Sequence, residues 1–85
     1  MDDDGGKSVM FSFWSSTLDL VTLALETTGL TFSRIDGKMN NVARNRSVQA
    51  FRERPELNIF LATMSAAGVG LDLTVASRVY LLEPQ

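Results

Sequence analysis

Asn58-Ile59-Phe60-Leu61-Ala62-Thr63-Met64-Ser65-Ala66-Ala67-Gly68-Val69-Gly70-Leu71-Asp72-Leu73 decides the fold. Its first part, Asn58 to Ala62, is a short apolar run, as a strand buried on both faces requires. Its second part is a loop of small residues, Ser65 to Gly70, closed by the carboxylate of Asp72. A buried strand running straight into such a loop places the loop at the carboxyl edge of a sheet. In open α/β folds ligands bind at that edge. Small residues there let backbone approach a partner closely. On spacing alone, the loop fits equally a tight strand-to-helix turn that merely needs small side chains.

Outward from this stretch, strands and helices alternate. Ser8 to Phe13 is apolar and partly alternating, a first strand. Ser15, Ser16 and Thr17 offer capping oxygens for a helix from Ser16 to Thr28. Leu18, Val21 and Leu25 form its apolar face, and Leu20, Leu23 and Ala24 widen it, as suits a helix packed on a sheet. Gly29 stops that helix. Leu30 to Ile35 alternates and reads as a second strand, and Asp36-Gly37 turns the chain. Asn40 or Asn41 caps a second helix, Asn41 to Arg54, with Val48 and Phe51 inward and Pro55 as its end. A fourth strand lies within Val75 to Leu82. This order predicts a mainly parallel four-stranded sheet flanked by helices, with right-handed crossovers and four loops on one edge. No amphipathic helix follows the last strand, so the fold is expected to be incomplete at its C-terminus.

Composition narrows the chemistry. Eighty-five residues make one small domain, expected to bury only about 60–70% of its unfolded surface. The chain has no cysteine and no histidine, which removes disulfides, Cys/His zinc sites and imidazole catalysis. No apolar run reaches the roughly 18 residues of a membrane span. Residues 1–6, acidic and glycine-rich, read as a flexible tail unlike a secretory or mitochondrial presequence, so an intracellular soluble protein is expected. The net charge is −2, yet Arg34, Lys38, Arg44, Arg46, Arg52 and Arg54 face only Asp36 and Glu53 between positions 34 and 54. That local excess of four positive charges permits an anionic partner, and equally describes a solvated helix face. Gly6-Lys7-Ser8 is not the end of a phosphate-binding loop, because the strand follows it and the upstream glycine is absent.

Several motifs in order resemble one family. From Lys7 to Gln85 the chain resembles the second RecA-like lobe of the SWI/SNF-type ATPases, superfamily 2 helicase-like motors that move along double-stranded DNA in chromatin remodelling and repair. Lys7 to Trp14 resembles motif IV, the strand that opens the lobe. Asp36-Gly37-Lys38-Met39 resembles the Asp-Gly-x-Met turn, and Arg44, Val48 and Phe51 match the spaced residues of the next helix. Thr63 to Leu73 resembles motif V, and Tyr80-Leu81-Leu82-Glu83-Pro84 the strand leading to motif VI. Phe13 stands where Gln is common, Ser65 where Lys is common, Ala67 where Gly is common and Asp72 where Asn is usual. In the wider superfamily an Asp at the last place touches nucleotide.

The resemblance implies a partial RecA-like lobe over residues 7–85. It implies nucleotide contacts from Gly68, Gly70 and Asp72, and contacts to the duplex DNA backbone from Lys38, Thr63 and Ser65. Asp36, Gly37, Arg44, Val48 and Phe51 take structural roles; Arg44 could contact a phosphate, but a charge-assisted hydrogen bond pinning its helix to the Asp36 turn is the favoured reading. Phe11 is expected in the core, and Phe13 and Trp14 on the surface facing a first lobe. That first lobe, with its phosphate-binding lysine and Mg²⁺-binding acids, and the arginine finger of motif VI are expected outside these 85 residues. ATP and Mg²⁺ would then bind only in the full-length parent, and the fragment would hydrolyse nothing alone. DNA contact would be weak, non-specific and salt-dependent. The family implies a nuclear location. A non-catalytic binding or adaptor module derived from such a lobe is the alternative. An unrelated flavodoxin-like domain would need an acidic cluster or phosphate loop after the first strand, and Ser12-Phe13-Trp14-Ser15-Ser16 offers neither.

Overall fold

A computed structural model describes residues 6–67 and 75–82. Strands β1 (Lys7–Ser12), β2 (Phe32–Ile35), β3 (Ile59–Thr63) and β4 (Ala76–Leu81) form one sheet. Helices α1 (Ser15–Thr28) and α2 (Asn41–Glu53) and the single turn α3 (Met64–Ala67) connect them. The strand order is β2-β3-β1-β4 and every pairing is parallel. The register sets Ser12 beside Thr63 and Ile35 beside Ala62, so the loops after β1, β2 and β3 share the carboxyl edge. Right-handed crossovers put α1 and α2 on opposite faces, because β1 to β2 passes over β3 while β2 to β3 steps back. Neighbouring residues of β2 show this. Ser33 Oγ donates to the Ser47 carbonyl in α2, whereas Arg34 reaches Thr22 and Asp19 in α1.

The core lies on the α2 face. Val48 and Phe51, the expected inward face of α2, pack with Val9, Ile35, Phe60 and Ala62. The rings of Phe51 and Phe60 sit 5.1 Å apart and tilted by 40°, a favourable aromatic pairing. β3 is buried from Phe60 to Thr63, as the apolar run demanded.

Three local details depart from expectation. β1 ends at Ser12, one residue early, because the Ser12 hydroxyl accepts from the Trp14 N–H (3.0 Å) and donates to its carbonyl (3.1 Å), turning the chain. The N-cap of α1 is Trp14, and no side chain caps it, so the hydroxyls of Ser15, Ser16 and Thr17 are not used that way. β2 starts at Phe32, not Leu30. Gly29 adopts a left-handed conformation (φ 78°), and the Gly29 and Leu30 N–H groups bond back to Glu26 and Leu25. The helix end thereby consumes the start of the expected strand.

A larger difference concerns α1. Leu18 is fully buried, but Leu20 and Leu23 are 71% and 61% exposed. The widened apolar face does not meet the sheet. On β4, Val79, Tyr80 and Leu81 are exposed too. A hollow of about 490 Å³ between Ser8, Met10, Ile59 and Tyr80 marks the part of the α1 face left uncovered among the described residues.

Lys7 joins the start of β1 to the end of α2. Its ammonium donates to the Arg54 carbonyl (2.7 Å) and the Leu57 carbonyl (2.5 Å) and lies 4.8 Å from the centre of the Phe51 ring. These carbonyls belong to the turn that follows α2, where the Arg54 carbonyl also accepts the Leu57 N–H at 3.1 Å. Desolvation at this seam lowers the Lys7 pKa from its usual 10.5, with Glu56 acting in the opposite direction. Replacing Lys7 by Met should cost roughly 1–2 kcal/mol of stability, measured by urea unfolding at neutral pH. The folded chain gives up this proton before the unfolded chain does, so the stability contributed here rises as pH climbs toward 10.5. The gap between wild type and Lys7→Met should therefore widen in that direction, and a gap that narrows would contradict the assignment.

Candidate functional site

The carboxyl edge is built from two turns that touch. The first follows β2. Asp36 Oδ1 accepts the Lys38 N–H (3.0 Å), and the Met39 N–H bonds to the Asp36 carbonyl (3.3 Å), which closes a side-chain-supported turn. The second follows β3, where Thr63 ends the strand and Ser65 lies in the single turn α3. The two hydroxyls lie 3.3 Å apart. A Cβ added to Gly37 would stand 3.2 Å from Ser65 Oγ. Gly37 does not have the positive φ that marks Gly29, so close approach, not backbone freedom, is what its missing side chain provides here. Lys38 and Ser65 are exposed beside this contact, whereas Thr63 is only 4% exposed. Thr63 thus stands behind Ser65 and not at the surface.

Arg34 organises the base of the first turn. One guanidinium nitrogen, Nη2, is 2.9 Å from Asp19 Oδ1 and 3.6 Å from Asp36 Oδ2, and the other, Nη1, donates to Thr22 Oγ1 at 3.1 Å. Its side chain is 19% exposed, as Asp36's is at 20%, so this ion pair is partly shielded from water, while Asp19 at 67% is solvated. In the sequence Arg34 stands out only as one charge of a basic stretch. Its alternation with Ile35 along β2 is the signal that turns it toward α1, but the acidic partner there lies fifteen positions away and nothing local marks it.

Arg44 does not make the bond expected of it. The Asp36 carboxylate is taken by the Lys38 N–H and by Arg34. Arg44 Nε is buried without a hydrogen-bond partner. The start of α2 is held instead by Asn40, whose Oδ1 accepts the Ala43 N–H at 2.8 Å. Asp36 and Gly37 keep their expected structural roles through the turn, and Val48 and Phe51 through the core. Gly68, Gly70 and Asp72, the expected nucleotide contacts, lie outside the described residues. Phe13 and Trp14 follow β1 onto the same edge and are 58% and 62% exposed, in agreement with their reading as surface aromatics. Phe11 packs against the α2-side core.

If Gly37 and Ser65 are in contact, an alanine at 37 forces the serine hydroxyl aside. Gly37→Ala should destabilise the chain by roughly 0.5–1 kcal/mol, and Ser65→Ala added to it should restore most of the loss. A thermal-unfolding double-mutant cycle measures this, and simple additivity would separate the two turns.

Comparison with known proteins places this edge in a family. Residues 1–85 match the helicase conserved C-terminal domain. The DNA repair protein RAD5B of Arabidopsis thaliana is 42% identical over 80 residues, which are 94% of this chain and 6% of that protein. The chain therefore spans a small part of the relatives it matches. The C-terminal part of the Fun30 ATPase domain superposes with a TM-score of 0.90 at 28% identity, covering 98% of this chain and 27% of that one. The Sulfolobus solfataricus SWI2/SNF2 ATPase C-terminal domain shares the fold, with a TM-score of 0.81 at 22% identity over 93% of this chain and 35% of that one. On the family match over residues 1–85 and the shared parallel sheet, the chain belongs to the helicase conserved C-terminal domain family and has the fold of the second RecA-like lobe of SWI/SNF-type ATPases.

Proposed function

We propose that this chain is part of a DNA-dependent ATPase of SWI/SNF type that works in DNA repair or chromatin remodelling, and that it supplies half of the surface where nucleotide and DNA meet. The observation that carries this reading is the contact between the Gly37 turn and Ser65. It sets Lys38 and Ser65 side by side at the edge of a parallel sheet, where α/β folds bind ligands. Lys38 and Ser65 contact the phosphate backbone, and Thr63 holds the Ser65 hydroxyl from behind. The short side chain at Ser65 leaves Lys38 as the cation of this pair. Gly68, Gly70 and Asp72 face the nucleotide from the following loop. Phe13 and Trp14 meet the first lobe. Such contacts fix position on DNA without reading bases, so binding is non-specific, weak and salt-sensitive.

Phosphoryl transfer needs a phosphate cradle, a metal site and a positioned water. In the full-length parent the first lobe supplies the first two, with ATP and Mg²⁺ bound between the lobes. The chain by itself is catalytically silent, and its parent acts in the nucleus. No helix among the described residues is long and apolar enough to cross a membrane.

Purified residues 1–85 should show no ATP hydrolysis with or without DNA, and turnover above background would sink the half-site reading. A fusion carrying a matching first lobe and a motif VI helix should hydrolyse ATP in a DNA-stimulated manner. In that fusion Asp72→Ala should lower the rate, and an unchanged rate removes Asp72 from the site. Lys38→Ala should weaken duplex binding equally across sequences and reduce the slope of log K against log salt by about 1. Sequence-dependent losses, or an unchanged slope, would take Lys38 off the backbone.

A further inference from the structure

The outer side of β2 carries a second surface, independent of the carboxyl-edge site. β2 is the outermost strand of the sheet, so half of its backbone N–H and C=O groups have no strand beside them among the described residues. Next to it a shallow groove of about 520 Å³ runs between the strand and α2, toward the end of the sheet opposite the motif loops. Phe32, Ser33, Arg46, Ala50, Arg54 and Leu57 help to line it. Arg46 and Arg54 are exposed, and among the described residues neither side chain is paired with a carboxylate. The one carboxylate in the groove, Glu53, accepts from Gln49 Nε2 at 3.0 Å.

The spacing of these two arginines carries information. Arg54 is eight positions beyond Arg46, at the cap just past the end of α2, which sets them about 12 Å apart along the helix axis. In an extended chain, residues four apart are about 13 Å apart and point to the same face. The residue midway between them also points that way and would lie over Ala50. We propose that this groove binds an extended acidic peptide, which adds a strand to the free edge of β2 and presents acid–x–small apolar–x–acid to Arg46, Ala50 and Arg54. Backbone hydrogen bonds to β2 give the affinity, and the two carboxylates set the register. A nucleic acid suits the groove less well, because the Glu53 carboxylate also lines it and phosphates offer no donors to the carbonyls of the strand edge.

The test uses the 85-residue chain labelled for NMR and two capped peptides of equal composition. Ser-Glu-Thr-Val-Thr-Glu-Ser should shift the amides of Phe32 to Ile35 and of α2. Ser-Thr-Glu-Val-Glu-Thr-Ser, with its acids on the other face from the valine, should bind roughly tenfold more weakly. Arg46→Ala with Arg54→Ala should remove that preference. Arg46→Glu with Arg54→Glu should transfer it to the first peptide with lysines in place of its glutamates, and circular dichroism confirms that both variants fold. Equal binding of the two peptides, shifts confined to other parts of the chain, or displacement of the peptide by duplex DNA at the same amides would each overturn the proposal.

Discussion

Phe60 sits at the centre of this molecule, on the strand flanked by β2 and β1, with the Phe51 ring 5.1 Å away. A parallel strand has no hairpin partner to stabilise it locally, so it holds only if both of its faces are covered. On one face α2 supplies Phe51 and Val48, and on the other α1 supplies Leu18. Each helix is in turn fixed to the sheet at one point by a cation. Lys7 bridges from β1 to the carbonyls past the end of α2, and Arg34 bridges from β2 to Asp19 and Thr22 on α1. In a chain this small, with limited apolar surface to bury, such clasps carry a larger share of the geometry than they would in a bigger domain.

These restraints aim the edge. Because β3 is buried to its last residue, Thr63, the chain leaves the sheet at a defined height and Ser65 arrives above Gly37. Because Arg34 holds Asp36 from below, the other carboxylate oxygen is free to take the Lys38 N–H. The position of Lys38 thus depends on an arginine whose side chain points the other way, into α1. Two turns far apart in sequence become one surface through a hydroxyl and a missing methyl group.

Much of this could be read from residue order. The apolar run ending in small residues marked β3 and its loop, and the spacing of Val48 and Phe51 marked the inward face of α2. Fold class followed from the same alternation, whereas the motif assignments rest on the family resemblance. What failed did so for identifiable reasons. Apolar periodicity shows which residues want cover but not whether cover exists, so Leu20 and Leu23 were placed on a sheet they do not touch. Capping competes with strand formation, and at Gly29-Leu30 the helix end won. Asp36 has two cations within plausible reach, and it was paired with Arg44 in the first turn of the next helix without weighing Arg34, two residues upstream on a strand. In an extended strand positions two apart lie on one face, so the nearer arginine was also the better placed.

The unpaired Arg44 Nε then stands out as the one buried polar atom without a partner among the described side chains. A buried donor left unmatched costs on the order of 1–3 kcal/mol. It sits in the first turn of α2, beside the turn that carries Lys38 and on the same edge as the loop after β3. The cost therefore falls at the carboxyl edge and not among the side chains of the Phe51–Phe60 core. Under the proposed function, an edge that carries this cost can rearrange while the sheet beneath it keeps its register.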